Sequence, residues 1–451
     1  MGGVFTSRDL PPYFVEPKIY KADEHRIPAD KIDQHAYYVI QKLRQAGHSA
    51  YLVGGGVRDL LLSQRPKDYD ISTSAKPEEI RSLFRNAILI GRRFRLAHIR
   101  FGRKVIEVST FRAGDTETAD LIVRDNVWGT EEQDVLRRDF TINGLFYDPE
   151  AQLVIDYVGG YPDLEKRILR AIGQPEIRFS QDPVRMIRLI KFCARFGFEI
   201  HSPTFEALLN CRGEIIKSSS ARIFEELLRM LESGSSKSFF YLLNQYGLLK
   251  PLSPALARYL ERGPENLALQ LLGEIDAEIR KDSTQPLDRS LLLAALVFPF
   301  FEEHIREKAK MQDRPLHLGQ IAEEAHRSID QVFNPFFNIP RRMRGIMSFL
   351  LTAQFRFVPI DGRPLRKPRA PRDPLFPMAL HLLKMRAAVQ PDLLPHYTLW
   401  TEASFASHEA GEAHSGPPDA GHPPRRRRRR RRRRGGGGGG GPPTPEKTHE
   451  E

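Results

Sequence analysis

The stretch Ala50-Tyr51-Leu52-Val53-Gly54-Gly55-Gly56-Val57-Arg58-Asp59-Leu60-Leu61-Leu62, followed by Lys67-Asp68-Tyr69-Asp70-Ile71, decides the reading of this chain. Ala50 to Val53 is a short apolar run of β type that breaks at three glycines, after which Val57 to Leu62 carries a helical turn or two. Strand, glycine bend and helix start together aim a loop at a ligand. Residues without a side chain let backbone N–H groups approach phosphate oxygens, and Arg58 adds a planar cationic fork. The same triplet serves equally well as a tight strand-to-helix turn. Neither GxxxxGK[ST] nor GxGxxG surrounds Gly54, which disfavours Walker-type ATPases and dinucleotide enzymes.

Asp68 and Asp70 lead into the strand-like Ile71, a setting in which residues i and i+2 point to one side of a sheet. Magnesium takes hard oxygen ligands, one or two carboxylates plus substrate phosphates, so an acid pair beside a phosphate loop suits a metal–nucleotide site. Taken alone, the pair reads more simply as a surface turn. Glu107 shifts that balance, because it lies on a β run with Val105 and Ser109 on its own face, where a neighbouring strand would bring it beside the aspartates. Three acids would hold two ions about 4 Å apart.

Outward from this centre the chain divides in two. From about Asp30 to Gly173, β runs alternate with helical pieces, and from Asp182 to about Trp400 amphipathic helices dominate. The fold class is therefore α+β, a head on a helical body. We read residues 1–30 as an N-terminal extension, 31–173 as the head, 174–260 as a helical neck, 261–400 as a helical body and 401–451 as a disordered tail. In the head, Thr73 or Ser74 before Pro77 opens a helix to Phe84, and Leu96–Phe101 with Lys104–Thr110 forms a hairpin around Gly102-Arg103. Thr130 with Gln133 makes a capping box for a helix from Glu131 to Phe146, with Asp139 and Asn143 sharing a face at i and i+4. On these residues alone Asp139 reads more simply as a cap or a partner of Arg138. Asp182 is a good N-cap, with Pro183 at the first helical position and Gly197 at the end. Arg185, Arg188 and Arg195 line one side of that helix, opposite Ile187, Ile190 and Ala194. Body helices are expected at 223–231, 237–249, 265–280, 291–310, 319–332, 341–355 and 375–389, and a stripe such as Phe239, Leu242, Leu243 and Tyr246 reads as a core face.

At 451 residues the chain is long enough for two or three folded units. Its longest apolar run, Leu291 to Phe301, contains a proline and falls well short of the ~20 residues a membrane span needs, so no membrane association is expected. Two cysteines, Cys193 and Cys211, exclude a disulfide framework, and with no signal-peptide pattern at the start the expected home is the cytoplasm. The net charge of +12 is concentrated at one end: residues 425–451 carry 11 basic and 3 acidic side chains, or +8, leaving +4 for the rest. Ten arginines, Arg425 to Arg434, then Gly435 to Gly441, bury no apolar surface and attract phosphates through charge alone. A solvated extension without function accounts for the same composition.

The segment Leu52–Leu62 with Lys67-Asp68-Tyr69-Asp70 resembles the class II nucleotidyltransferases of the polymerase-beta type, which comprise bacterial poly(A) polymerases and tRNA CCA-adding enzymes. The resemblance continues through Arg137-Arg138-Asp139-Phe140-Thr141-Ile142-Asn143 and Asp182-Pro183-Val184-Arg185-Met186. It implies a polymerase-beta-like head followed by an all-α neck and body. It also implies Asp68, Asp70 and Asp139 as active-site acids, with Asp68, Asp70 and Glu107 binding two Mg²⁺ ions. Gly55, Gly56, Arg58 and Asp59 would shape the triphosphate loop, and Arg138, Asn143, Asp182 and Arg185 would bind the nucleotide. Where relatives carry a glutamate at the base-reading motif, this chain has Gln181, an amide that still donates and accepts. Ile90-Gly91-Arg92-Arg93-Phe94-Arg95-Leu96-Ala97-His98 and Val123–Gly129 look like stretches typical of the poly(A) polymerase branch, as does the arginine-rich end. Arg92, Arg93 and Arg95 are candidate RNA contacts or a positively charged strand edge, and His98 by itself reads as a packed core histidine. The implied activity is template-independent addition of AMP from ATP to RNA 3′ ends with release of pyrophosphate, in RNA processing or decay and in company with RNA-decay proteins. The rivals are a CCA- or A-adding tRNA nucleotidyltransferase and a non-catalytic RNA-binding protein on the same fold.

Overall fold

The computed structural model describes residues 16–91, 96–113, 127–282, 284–312, 316–359 and 370–412. The candidate RNA contacts Arg92, Arg93 and Arg95, residues 123–126 and the arginine tail lie outside the described residues.

Eight strands form one sheet: β1 (Lys18–Tyr20), β2 (Ala50–Val53), β3 (Asp70–Thr73), β4 (Ala87–Ile90), β5 (Leu96–Phe101), β6 (Lys104–Thr110), β7 (Leu145–Asp148) and β8 (Leu153–Asp156), in the order β1-β8-β7-β2-β3-β6-β5-β4. The alternation of side chains along each strand gives the sheet two different faces. Leu52, Ile71, Val108 and Ala97 are register partners on successive strands and bury into the main core, which is covered by α1 (Gln34–Gln45). That helix starts because the Asp33 carboxylate accepts from the N–H groups of His35 and Ala36, and it buries Ala36, Val39, Ile40 and Leu43. The opposite face carries the row Val53, Asp70, Glu107, His98 and Ile88. Beside it a second, smaller core forms from Val53, Phe111, Val135, Phe146, Val158 and Ile172. The hairpin of β5 and β6 has the bounds its alternation predicts.

Four local expectations are corrected. The helix predicted over 131–146 stops early: α3 covers Glu131–Leu136, a 3₁₀ turn covers Thr141–Asn143, and β7 follows. The Asp134 pairs with Arg137 and Arg138, at i+3 and i+4, support the last turn of α3 and do not end it. Beyond them the backbone bonds sideways, Thr141 N–H to Arg170 O and Ile172 N–H to Asp139 O. Asp182 does not cap a helix N-terminus; it ends α4 (Pro175–Gln181) at φ −146°, and α5 (Val184–Phe196) starts after Pro183. Gly197 closes α5 in the left-handed region, as expected. The helix at Pro77–Leu83 starts after Lys76, whose N–H donates to the Glu79 carboxylate at 2.6 Å, while the Thr73 and Ser74 hydroxyls are engaged with Ser49. Asp68 precedes β3 rather than lying on it, so strand alternation does not relate it to Asp70.

The helical part follows its periodicity closely. α6 (Ser220–Leu231) is followed by helices at Ser236–Gln245, Leu267–Lys281, Arg289–Gln312, Leu318–Phe333, Arg341–Phe357 and Phe376–Val389. Pro299 sits inside the fourth of these seven, where the burial of Phe298 and Phe301 offsets the lost hydrogen bond. Phe239 and Leu243 are buried and Leu242 and Tyr246 pack against them, a core face as read from the stripe. The main core is continuous from Tyr20 to Trp400, joining head to helices. No described helix is long and apolar enough to cross a membrane.

Candidate active site

The glycine bend and the acids meet at one end of the sheet. β2 runs straight into Gly54, whose φ of 66° suits glycine, and the pairing of Val53 with Asp70 sets the bend beside that acid. A Cβ on Gly56 would lie 3.3 Å from the main-chain oxygen of Asp68, so the start of α2 (Gly55–Leu61) rests against the acidic segment. Gly54, Gly55, Arg58 and Asp70 share a cleft of about 420 Å³ with Arg138, Asp139, Asn143, Asp182, Arg185, Arg188, Lys191, Phe192, Arg195 and Arg222. Seven cationic side chains thus face three carboxylates, a balance suited to a polyanion such as a triphosphate.

A buried hydrogen-bond chain fixes the floor. Asp139 accepts from Arg188 Nε at 2.6 Å and from Asn143 Nδ2 at 3.0 Å. Asn143 Oδ1 accepts from Arg58 Nη1 at 2.6 Å, and Arg58 donates to Asp59 through Nε and Nη2 at 3.0 and 2.7 Å. Burial alone would raise the Asp139 pKa, but Arg188, Asn143 and Arg185 outweigh it and hold the carboxyl well below the usual range. Asp139 and Asn143 therefore do share a side, through a turn rather than a helix, and the partner of Asp139 is Arg188, not Arg138. Arg138 donates instead to Asp134 and Ser72, at 2.8 and 3.1 Å.

The other wall comes from α4 to α6. Arg222 grips Asp182 with both terminal nitrogens, at 3.0 and 2.8 Å. Lys191 donates to Glu226 at 2.9 Å. Arg185 is buried, with Nη2 on Arg137 O at 2.9 Å and Nη1 without a hydrogen-bond partner among the described residues. Gln181 is buried and accepts from Arg178 Nη1 at 2.8 Å.

The acids at the rim form a looser group. Burial, then the Glu107 and Asp68 carboxylates, push Asp70 up to about 6, with Arg138 pulling the other way. Asp68 is exposed, and Glu107 Oε2 lies at hydrogen-bond distance, 3.2 Å, from His98 Nε2, so His98 is a half-buried partner of an acid rather than a packed core histidine. Among the described residues no three acidic, histidine or cysteine side chains are close enough together to hold an ion. The donor chemistry nonetheless fits one: hard carboxylate oxygens that repel each other are relieved by a divalent cation.

Asp70, Asp139, Gly55, Arg58, Arg138, Asn143, Asp182 and Arg185 therefore converge on one cleft. Gly56 and Asp59 lie behind it, and Asp68 and Glu107 lie beside Asp70 without lining it. Sequence reasoning missed Asp134, Lys191, Phe192 and Arg222. The signal for Asp134 was its i+3 and i+4 spacing from Arg137 and Arg138. Arg222 left none, being forty residues from Asp182 along the chain.

Comparisons with known proteins identify the family. Residues 50–170 match the family described as "Poly A polymerase head domain", residues 197–260 "Probable RNA and SrmB-binding site of polymerase A", and residues 320–434 "Polymerase A arginine-rich C-terminus". Poly(A) polymerase I of Salmonella typhimurium is 36% identical over 393 residues, 82% of this chain and 82% of that protein. The CCA-adding enzyme of Lactobacillus helveticus is 40% identical over 194 residues, 43% of this chain and 48% of that one. The solved CCA-adding enzyme of Thermotoga maritima, complexed with tRNA, shares the fold at 19% identity and a TM-score of 0.51, covering 84% of this chain and 98% of that one. The sequence likeness to this CCA-adding relative covers less than half of the chain, whereas that to poly(A) polymerase I covers most of it, and this chain belongs to the poly(A) polymerase family of nucleotidyltransferases.

Proposed function

We propose that this chain transfers AMP from ATP to the 3′ hydroxyl of RNA without a template, releasing pyrophosphate. The observation that carries the reading is the cleft in which the glycine bend, Asp70 and a surplus of cations open together. The RNA hydroxyl oxygen bonds to the α-phosphorus, the bond from that phosphorus to the pyrophosphate oxygen breaks, and the hydroxyl proton leaves to solvent or to an acid of the site. Arg58, Arg188 and Arg195 neutralise the triphosphate and steady the charge that passes to pyrophosphate. The N–H groups of the bend approach its oxygens. Asp139 acts through its partners, holding Arg188 directly and Arg58 by way of Asn143. Asp182 and Arg185 meet the base edge; the buried Arg185 Nη1, unpartnered among the described residues, is a desolvated donor that gains from any acceptor brought to it. Asp68, Asp70 and Glu107 would hold magnesium, which when bound lowers the hydroxyl's pKa and offsets phosphate charge. The segment 31–173 supplies the acids and the glycine bend, 174–260 the base-facing wall together with Arg188 and Arg195, and 261–400 and 401–451 bind RNA. Cys193 and Cys211 are free thiols, which suits the cytoplasm.

The test is to offer RNA with a generic 3′ end and each nucleoside triphosphate separately with magnesium. Long adenosine tails from ATP alone, absent in Asp70→Ala, are expected. Cytidine addition to a truncated tRNA, or arrest after one to three nucleotides, would overturn the reading in favour of the CCA-adding branch. No incorporation at all would point to a non-catalytic RNA binder.

A further inference from the structure

Four guanidiniums of the cleft have aromatic neighbours that the chemistry above leaves unused; Arg138 lies over Phe146 at 5.4 Å, and the other three share two rings on α5. The Arg58 guanidinium carbon lies 5.0 Å from the Phe192 ring centroid and 4.8 Å from that of Phe196. Arg188 lies over Phe192 at 5.8 Å and Arg195 over Phe196 at 4.8 Å. The rings themselves are near-parallel, with centroids 6.1 Å apart and planes 15° apart, as their i and i+4 positions on α5 dictate. Each ring thus serves two cations, and Arg58 spans both.

Arg58 is buried, and the loss of water both disfavours its charge and strengthens its repulsion from the other guanidiniums. Carboxylates offset part of this through the guanidinium edges: Asp59 takes Arg58 and Arg195, and Asp139 takes Arg188. The flat faces need a different partner, and the negative face of an aromatic ring supplies it without adding a formal charge that would repel a triphosphate.

We propose that Phe192 and Phe196 are positioning residues for the nucleotide's phosphates, holding Arg58, Arg188 and Arg195 together as one preassembled cationic surface. The proposal rests on the reading that this cleft takes a nucleoside triphosphate. An aliphatic side chain of similar size in place of Phe196 fills the same space but leaves the guanidinium faces unsupported. Phosphate affinity then falls while the base-facing wall keeps its contacts.

The test uses Phe196, which is only partly buried, as Leu and Tyr variants of the full chain. Tripolyphosphate and adenosine are titrated separately to displace a fluorescent ATP analogue, with thermal midpoints recorded in parallel. Two cation–π contacts at a desolvated site predict about tenfold weaker tripolyphosphate binding for Phe196→Leu, with adenosine unchanged and Phe196→Tyr close to the native chain. Equal tripolyphosphate affinity in the Leu variant and the native chain overturns the proposal. So does a parallel loss for adenosine, or failure of Tyr to restore binding, since either marks a merely structural role. If tripolyphosphate does not displace the analogue from the native chain, the triphosphate reading of the cleft fails instead.

Discussion

Replacing Asp70 by Asn should make the metal-free protein more stable while it loses AMP incorporation. Burial and the Glu107 and Asp68 carboxylates raise the Asp70 pKa from 3.8 to about 6. A folded-state value above the unfolded one means that the native chain holds more protons between the two, so stability falls as pH rises from about 4 to about 6. At about 1.4 kcal/mol per unit, ionised Asp70 costs the fold roughly 3 kcal/mol at pH 8. The Asn amide keeps part of the polar burial cost, which leaves an expected gain of about 1–3 kcal/mol. Urea denaturation in EDTA without nucleotide, at pH 8 and at pH 4, measures it: the gain should appear at pH 8 and fade at pH 4. No gain at pH 8, or a gain that ignores pH, would refute the idea that crowded, uncompensated acids await a cation.

Asp139→Ala should destabilise the chain by about 2–3 kcal/mol in urea at pH 7, less than a fully buried pair because the Arg188 side chain is 35% exposed. Because the Asp139 pKa is held low, the stability it lends is present above about pH 4 and disappears on acidification, so native and variant should converge in acid. Gly56→Ala puts a Cβ at 3.3 Å from Asp68 O, which must give by a few tenths of an ångström; single-turnover incorporation should slow several-fold with the urea midpoint nearly unchanged. Arg222→Gln should leave stability within about 1 kcal/mol, since that arginine side chain is half exposed, yet alter the ratio of kcat/KM for ATP over CTP by releasing Asp182.

Much of the fold is legible from periodicity. The alternation over Leu96–Thr110 gives the hairpin to the residue, and the amphipathic stripes give the body helices to within a few residues, because burial of one face decides both. The misreadings share one cause, which is that a local rule met a stronger partner from elsewhere. Thr73 and Ser74 are good caps engaged by Ser49, Asp182 is a good cap taken by Arg222, and the helix that Thr130 opens is ended by pairing with residues 170–172. Of the site, the glycines, Asp70, Asp139, Arg138, Asn143 and Arg185 were readable because their spacing repeats a known order. Lys191, Phe192 and Arg222 were not, because their role exists only across the gap between separate elements.

What the amino-acid order determines without help is short-range: a strand that must break at three glycines, an acid segment that follows it, and helices with one apolar face. Those follow from backbone freedom and side-chain period, which act over a few residues. Which acid sits beside which cation was decided by strand register and helix crossing. Val53 against Asp70, Asp70 against Glu107, and Arg188 against Asp139 are contacts between distant parts of the chain, and Coulomb and burial energies depend on separation in space, not in sequence.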